Sequence, residues 1–268
     1  MESTVVIIVA MESERRHLDT LLPGWEPVES GPWRTLRNND VVCIVSGIGM
    51  ITAAAATEHA TGTYNPALIL NYGCAGAHVR DLFPGDVVIG DVLVHQGRMR
   101  FADDGAIVPL DIGFTVPGEE APVTHLASDP VLVQLAAEVG QSTAFPAWPR
   151  EHWLANQPDR APIVRTGPVS SGDIWLQDAD RIDSGHARTG SLCEDMEAAS
   201  IAQVCAMHRV PFLAVKDISN SEFHTATVFE GTSSALPSGE VGLRAAMIVA
   251  GVIGRLRAAG SALNLRYS

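Results

Sequence analysis

The stretch that decides the fold runs from Cys193 to Asn220 and reads CEDMEAASIAQVCAMHRVPFLAVKDISN. We expect it to begin with a turn. From about Met196 to His208 it is rich in small apolar residues, which is typical of a helix packed closely against a sheet. Pro211 interrupts this pattern. Phe212 to Ser219 then shows almost no polar alternation, and such a run is typical of a central strand covered on both faces.

Two polar residues mark the ends of these elements. Glu197 lies at the start of the predicted helix, where the helix dipole favours an acid. Asn220 follows the predicted strand, and open α/β sheets bind ligands at the carboxyl ends of their strands. We therefore expect Glu197 and Asn220 to line one pocket.

The composition indicates a globular cytoplasmic protein. The 268 residues are 46% hydrophobic and 18% charged, and no linker divides them, so we predict one domain over residues 1–268. A net charge of −13 without a basic cluster argues against a nucleic-acid or membrane partner. The 4 cysteines have no CxxC spacing, which indicates reduced thiols. The 9 histidines show no metal-ligand spacing, so neither a metal nor another cofactor is expected.

Strands and helices alternate along the first part of the chain. Thr4–Ala10 is predicted to be a buried strand, and a helix follows in MESERRHLDTLL. The strand Val41–Val45 leads through a glycine turn into an alanine-rich helix, and Ala67–Leu70 is the next strand. This order predicts an α/β fold with parallel strands. Residues 98–122 and 222–238 are predicted to be loops.

Polar or small residues follow five predicted strands, and we expect them to meet at one rim of the sheet. The NYGCAGA segment is expected to be a loop that lets the backbone approach a ligand closely. The five positions are Glu12/Glu14, Gly47/Gly49, Asn71–Gly76, Ser171–Trp175 and Ser219/Asn220.

Seven motifs in this order resemble the purine nucleoside phosphorylase superfamily, and within it the 5′-methylthioadenosine/S-adenosylhomocysteine nucleosidases. The motifs are AMESE, SGIGM, NYGCAGA, PGDVVIGD, SSGDIW, EDMEAASIAQVC and VPFLAVKDISN. The resemblance implies a three-layer αβα fold around a mixed, partly barrel-like sheet, a homodimer, and cleavage of a purine–ribose bond.

The resemblance also implies roles for individual residues. Glu14 corresponds to the acid that orients the attacking water, and Met196 with Glu197 to the pair that holds the ribose. Trp175 corresponds to an aromatic that packs on the purine, although a plain core role is equally consistent with its sequence context. Asn220 stands where an Asp protonates or hydrogen-bonds the purine N7. The other predicted binding residues are Met11, Cys74, Ala75, Gly76 and Ser219.

Two departures from the family pattern affect the predicted reaction. Phosphorylases place one arginine at the position of Asn71 and one near that of Glu14. This chain has an amide and an acid at these positions, and the acid would repel phosphate, so water is the expected nucleophile. Asn220 cannot supply a proton, but its amide can read adenine or a 6-oxopurine. Asp217 is a candidate replacement acid, yet strand alternation turns it away from Asn220, so a structural partnership with Lys216 or a loop is favoured.

The sequence therefore predicts a hydrolase acting on a 5′-modified purine nucleoside of the methylthioadenosine or S-adenosylhomocysteine type. A futalosine-type nucleosidase, which releases hypoxanthine, is the first alternative. A phosphate-dependent phosphorylase and a catalytically silent nucleoside-binding protein are the others.

Overall fold

A ten-stranded mixed sheet organises the molecule. The computed structural model describes residues 4–110, 113–116, 118, 126–224 and 237–259. The strands are β1 (Val5–Val9), β2 (Glu26–Val28), β3 (Arg34–Asn38), β4 (Val41–Val45), β5 (Leu68–Ala77), β6 (Val87–His95), β7 (Met99–Phe101), β8 (Ile107–Pro109), β9 (Leu126–Ala127), β10 (Val164–Ser171), β11 (Cys193–Asp195) and β12 (Phe212–Asn220). The α-helices are α1 (Glu12–Arg15), α2 (His17–Leu21), α3 (Met50–Tyr64), α4 (Pro130–Ser142), α5 (Ala179–Thr189), α6 (Ala198–His208) and α7 (Leu243–Ala258).

Part of the sheet closes into a ring. The strand order is β11-β10-β6-β12-β5-β1-β4-β3-β2, and β11 also pairs with β5, so five strands form a closed barrel. Strand β12 is parallel to β5 and antiparallel to β6. The predicted mixed, partly barrel-like sheet is confirmed. The expectation of parallel strands holds for β1, β4, β5 and β12.

Helices cover both faces of the sheet. On one face, alanines of α3 and α6 (Ala53, Ala56 and Ala202 among them) let the two helices lie close to the strands. On the other face, α4 and α7 bury larger side chains such as Leu132 and Ile248. The predicted three-layer αβα arrangement is confirmed. No helix among the described residues is long and apolar enough to cross a membrane.

The stretch from Cys193 to Asn220 differs from its prediction at its start. Cys193–Asp195 is a strand where a turn was expected, because it pairs with β5 and β10. Helix α6 begins at Ala198, two residues after the predicted start, with Glu197 as its N-cap residue. Every residue of β12 is buried, as predicted, and the strand extends to Asn220.

Other segments also differ from the expectation. NYGCAGA is the second half of strand β5 and not a loop, because β12 and β11 pair with it on its two sides. Residues within 98–122 form the hairpin β7–β8. MESERRHLDTLL contains two short helices, and neither β2 nor α5 was predicted. Most of the predicted loop 222–238 lies outside the described residues.

Candidate active site

A cavity of about 310 Å³ lies where β1, β4, β5 and β12 end. Its lining includes all ten residues that the sequence predicted for the site: Met11, Glu14, Cys74, Ala75, Gly76, Trp175, Met196, Glu197, Ser219 and Asn220. The segment after β10 reaches the same cavity although β10 runs antiparallel to β12. Closure of the barrel therefore achieves the convergence that we expected from a parallel sheet.

A wider depression of about 650 Å³ lies along residues 174–181. One continuous segment forms it, and Trp175 is the only predicted site residue in its described lining. We therefore place the candidate site in the smaller cavity, where several strand ends meet.

Two backbone amides fix the Glu14 side chain at the floor of the cavity. Oε1 accepts from the N–H of Cys74 at 2.9 Å, and Oε2 accepts from the N–H of Met11 at 3.1 Å. Glu14 is 2% exposed, and this burial raises the pKa of its carboxyl, while the Cys74 amide and Lys216 oppose the rise. A Cβ on Gly73 would lie 2.6 Å from Oε1, so the close approach requires glycine there.

Glu197 joins the start of α6 to the SGIGM turn. Its Oε1 accepts from the N–H of Gly49 at 2.9 Å, and Gly49 has a φ of +109°, a conformation suited to glycine. Burial, and then the nearby Asp195, raise the pKa of Glu197 to about 8, whereas Lys216 lowers it. Glu197 therefore lies at the cavity wall as a carboxyl group that titrates near neutral pH.

A buried ion pair supports this wall from behind. Lys216 Nζ lies 2.6 Å from Asp195 Oδ2, and both side chains are 1% exposed. Asp195 Oδ2 also accepts from the N–H of Ala198, and Ser171 donates its hydroxyl to Asp195 Oδ1. Burial by itself would lower the pKa of Lys216, but Asp195 and Glu197 raise it above its ordinary value. The pair holds the start of α6 and places a positive charge behind Glu197.

Asn220 has polar partners on both edges of its amide. Ser219 Oγ donates to Oδ1 at 2.9 Å, and Nδ2 donates to Glu222 Oε1 at 3.1 Å. A Cβ on Gly76 would lie 3.2 Å from Nδ2, so glycine in NYGCAGA leaves room for this amide. Ser219 and Glu222 thus fix which way the amide faces.

Glu194 is a further acid in the cavity lining, and the sequence analysis did not select it. Its Oε1 accepts from the N–H of Leu176 at 3.1 Å, directly after Trp175. Its Oε2 accepts from Gln96 Nε2 at 3.1 Å. The His78 Nε2 lies 3.2 Å from Oε2, in a contact whose angles are not those of a hydrogen bond.

Apolar side chains form the open rim. Ile48, Ile174 and Trp175 line the cavity and are 57%, 43% and 39% exposed, respectively. Trp175 therefore lines the cavity rim and is not a core aromatic. Burial raises the pKa of the Cys74 thiol well above its ordinary value, so Cys74 is a small neutral lining residue at neutral pH.

Asn71 and Asp217 lie away from the cavity. Asn71 donates from Nδ2 to the carbonyl of Ile8 at 2.9 Å. Asp217 is fully buried and accepts from the N–H of Arg244 at 2.9 Å, so its partner is Arg244 and not Lys216. Burial raises the pKa of Asp217 to about 7. No group of three or more His, Cys, Asp or Glu that could hold a metal occurs in the described part of the chain.

Sequence reasoning missed Glu194, Asp195 and Lys216 as functional candidates. One available signal was Lys216 itself, because a lysine inside an otherwise apolar strand requires an acidic partner. The CED segment supplies that partner at Asp195. Nothing local marks Glu194, because its position follows from pairing between β11 and β5.

Comparison with known proteins agrees with this fold and site. Residues 4–252 match the model of the phosphorylase superfamily. A 5′-methylthioadenosine/S-adenosylhomocysteine nucleosidase of Oceanobacillus iheyensis is 33% identical over 82% of this chain and 88% of its own. A nucleosidase of the same name from a Geobacillus species is 31% identical over 81% and 84%, respectively. The chain belongs to the phosphorylase superfamily.

Solved structures share the fold. A Neisseria meningitidis 5′-methylthioadenosine/S-adenosylhomocysteine nucleosidase in complex with methylthio-immucillin-A has a TM-score of 0.71, with 22% identity over 95% of this chain and all of that one. A futalosine hydrolase of Helicobacter pylori strain 26695 has a TM-score of 0.71, with 20% identity over 95% and 98% of the two chains. Structural likeness thus extends to nucleosidases that carry two different names.

Proposed function

We propose that this protein is a purine nucleosidase that hydrolyses the N-glycosidic bond of a 5′-modified purine nucleoside. Its curated relatives are 5′-methylthioadenosine/S-adenosylhomocysteine nucleosidases, and these two nucleosides are the first substrates to test. The observation that carries the proposal is the arrangement of Glu14 and Glu197. Two fixed acids face one cavity, and one of them is held by two backbone amides.

The chemistry of glycosidic cleavage explains why two acids are useful here. Breaking the bond builds positive charge on the ribose, as in other oxocarbenium-like transition states. Glu14 acts as the general base on a water below the sugar, and its raised pKa makes it a stronger base than an exposed glutamate. Glu197 accepts from the ribose hydroxyls, with Met196 beside it, and its ionised form stabilises the developing charge.

The charge of the cavity favours water over phosphate as the nucleophile. Four acids line it, namely Glu14, Glu194, Asp195 and Glu197, and none of its described lining residues is Lys or Arg. The nearby Lys216 is already paired with Asp195. Because Lys216 and Asp195 neutralise each other, no described lining residue offers a free positive charge to a phosphate dianion, whereas a neutral water needs none.

At the purine end, Trp175 packs on the base and Asn220 hydrogen-bonds it. The second candidate function is the same hydrolysis of a 6-oxopurine nucleoside, as in the futalosine hydrolases. Asn220 is compatible with this second function, because its amide can donate to O6 while its oxygen accepts from a protonated N7, just as it can match N7 and the 6-amino group of adenine.

We further propose that the enzyme acts as a cytoplasmic homodimer. The exposed apolar Ile48 and Ile51, which are 57% and 80% exposed, support a protein interface beside the rim. The four free cysteines support a reducing compartment. Light scattering after size-exclusion chromatography measures the assembly state, and a monomer at micromolar concentration would contradict the dimer.

The deciding experiment incubates the purified protein with methylthioadenosine, S-adenosylhomocysteine, inosine and a futalosine-type nucleoside, with and without phosphate. Release of free base and reducing sugar without phosphate supports the proposal. Ribose 1-phosphate that forms only with phosphate would identify a phosphorylase. Tight binding without base release over hours would identify a silent binding protein.

A further inference from the structure

Glu194, Gly76 and Asn220 form one row across three strands at the base end of the cavity. Gly76 pairs with Asn220 of β12 on one side and with Glu194 of β11 on the other. Residues paired directly across strands project from the same face of a sheet. Two strand spacings are about 10 Å, the central residue has no side chain, and all three residues line the cavity, so the amide and the carboxyl group flank Gly76 there.

The Glu194 carboxyl group is fixed and still has accepting capacity. Leu176 N–H and Gln96 each donate to it, and His78 is beside it. An ionised carboxylate can accept about four hydrogen bonds. Oε1, which accepts from Leu176, can therefore accept a second bond from the cavity.

The two purine classes differ at the atoms that would face this carboxyl group. Adenine presents an unprotonated N1, which is an acceptor, and a 6-amino group. A 6-oxopurine such as hypoxanthine presents an N1–H donor and a carbonyl oxygen at C6. A carboxylate bonds to N1–H but meets a lone pair on the N1 of adenine, and a buried polar group left without a partner lowers affinity.

We infer that the base end of this cavity selects a 6-oxopurine, with Glu194 accepting from N1–H and Asn220 bonding O6 and N7. Glu194 is then a specificity-determining residue, and this chain prefers a different base from the methylthioadenosine of its relatives' names. The inference rests on the proposed hydrolysis and chooses between its two candidate bases.

The test uses two nucleosides that differ only at C6, 5′-methylthioinosine and 5′-methylthioadenosine. The expected kcat/KM of the wild-type protein is at least about tenfold higher for the 6-oxo nucleoside, a differential of about 1.4 kcal/mol. Glu194→Ala removes the acceptor for N1–H and the carboxylate that opposes the N1 lone pair of adenine. We expect this variant to shift the ratio at least about tenfold towards adenine.

A control variant, a binding measurement and the cleavage of either nucleoside distinguish a loss of base specificity from misfolding and from failure of the proposed function. Glu138→Ala, which removes an exposed acid on α4, should leave the ratio unchanged. Should Glu194→Ala fail to fold, calorimetric binding of free hypoxanthine and adenine to the wild-type protein supplies the same comparison without hydrolysis. Wild-type preference for adenine in either assay, or a ratio unchanged in Glu194→Ala, overturns the inference. The proposed function fails separately, when neither nucleoside is cleaved.

Discussion

The ribose end and the base end of the cavity are built in different ways. At the ribose end, backbone amides hold Glu14 and Glu197, and glycines at 49 and 73 provide the close approach. At the base end, Asn220 is held by two other side chains, those of Ser219 and Glu222.

The residues that carry out the reaction and the residue that contacts the base are therefore held in place by different kinds of contact. A carboxylate held by backbone amides keeps its position when neighbouring side chains are substituted, so the hydrolytic chemistry should tolerate such substitutions. A group held by side chains changes when a neighbour is substituted, so the base that is accepted can differ between proteins that share one mechanism. Four predictions test this division, beginning with the largest expected effect.

The substitution Glu14→Gln should remove the general base without altering the size of the side chain. A positioned base contributes about 10²–10⁴-fold, so kcat should fall at least about a hundredfold. The reduction should be the same for adenine and 6-oxopurine substrates, because Glu14 does not contact the base. Near wild-type turnover in steady-state assays would eliminate Glu14 as the base.

Gly73→Ala should displace Glu14 without removing it. The added Cβ would lie 2.6 Å from Oε1, and a displacement of about 1 Å can reduce turnover about a hundredfold. Gly62→Ala is the matched control, because a Cβ at this position on α3 meets no atom within 4 Å. That control should keep full activity and stabilise the helix by about 0.5–1 kcal/mol, measured by chemical denaturation. Equal activity of the two variants would show that Glu14 tolerates displacement.

The pH dependence of kcat/KM should report on Glu197. Its pKa is raised to about 8, so its ionised fraction grows as the pH rises towards that value. Since the ionised form stabilises positive charge on the ribose, kcat/KM should rise roughly tenfold or more between pH 6 and pH 8. Glu197→Gln should have a lower rate and should lose this part of the rise. A wild-type profile that falls over this interval would show that the protonated form is the active one.

Most of the ribose end could be predicted from the sequence, because its residues lie in short contiguous motifs. Met11 and Glu14 lie in AMESE, and Met196 and Glu197 in EDMEAAS. Strand β12 was predictable for a similar reason, since a strand buried on both faces leaves a continuous apolar run.

The base end and the barrel closure could not be predicted in the same way. Whether NYGCAGA continues a strand depends on pairing with β11, which lies more than a hundred residues later in the chain. The same pairing brings Glu194 into the cavity. Local propensity contains no information about such a contact, so the segment was predicted to be a loop and Glu194 was not selected.

The smallest expected effect concerns Asn220→Asp at the base end. A carboxyl group at this position can donate a proton to N7 and accept from the 6-amino group of adenine. The ratio of adenine to 6-oxopurine cleavage should therefore rise about tenfold, measured with the same matched nucleosides. A ratio equal to that of the wild type would show that Asn220 does not contact the base.

The most direct test of hydrolysis at this cavity is the product formed by the wild-type protein from 5′-methylthioinosine and 5′-methylthioadenosine in phosphate-free buffer. We expect release of free base and a reducing sugar from both nucleosides, faster from the 6-oxo form, and no acceleration by phosphate. Base release that requires phosphate and yields a ribose 1-phosphate would contradict it.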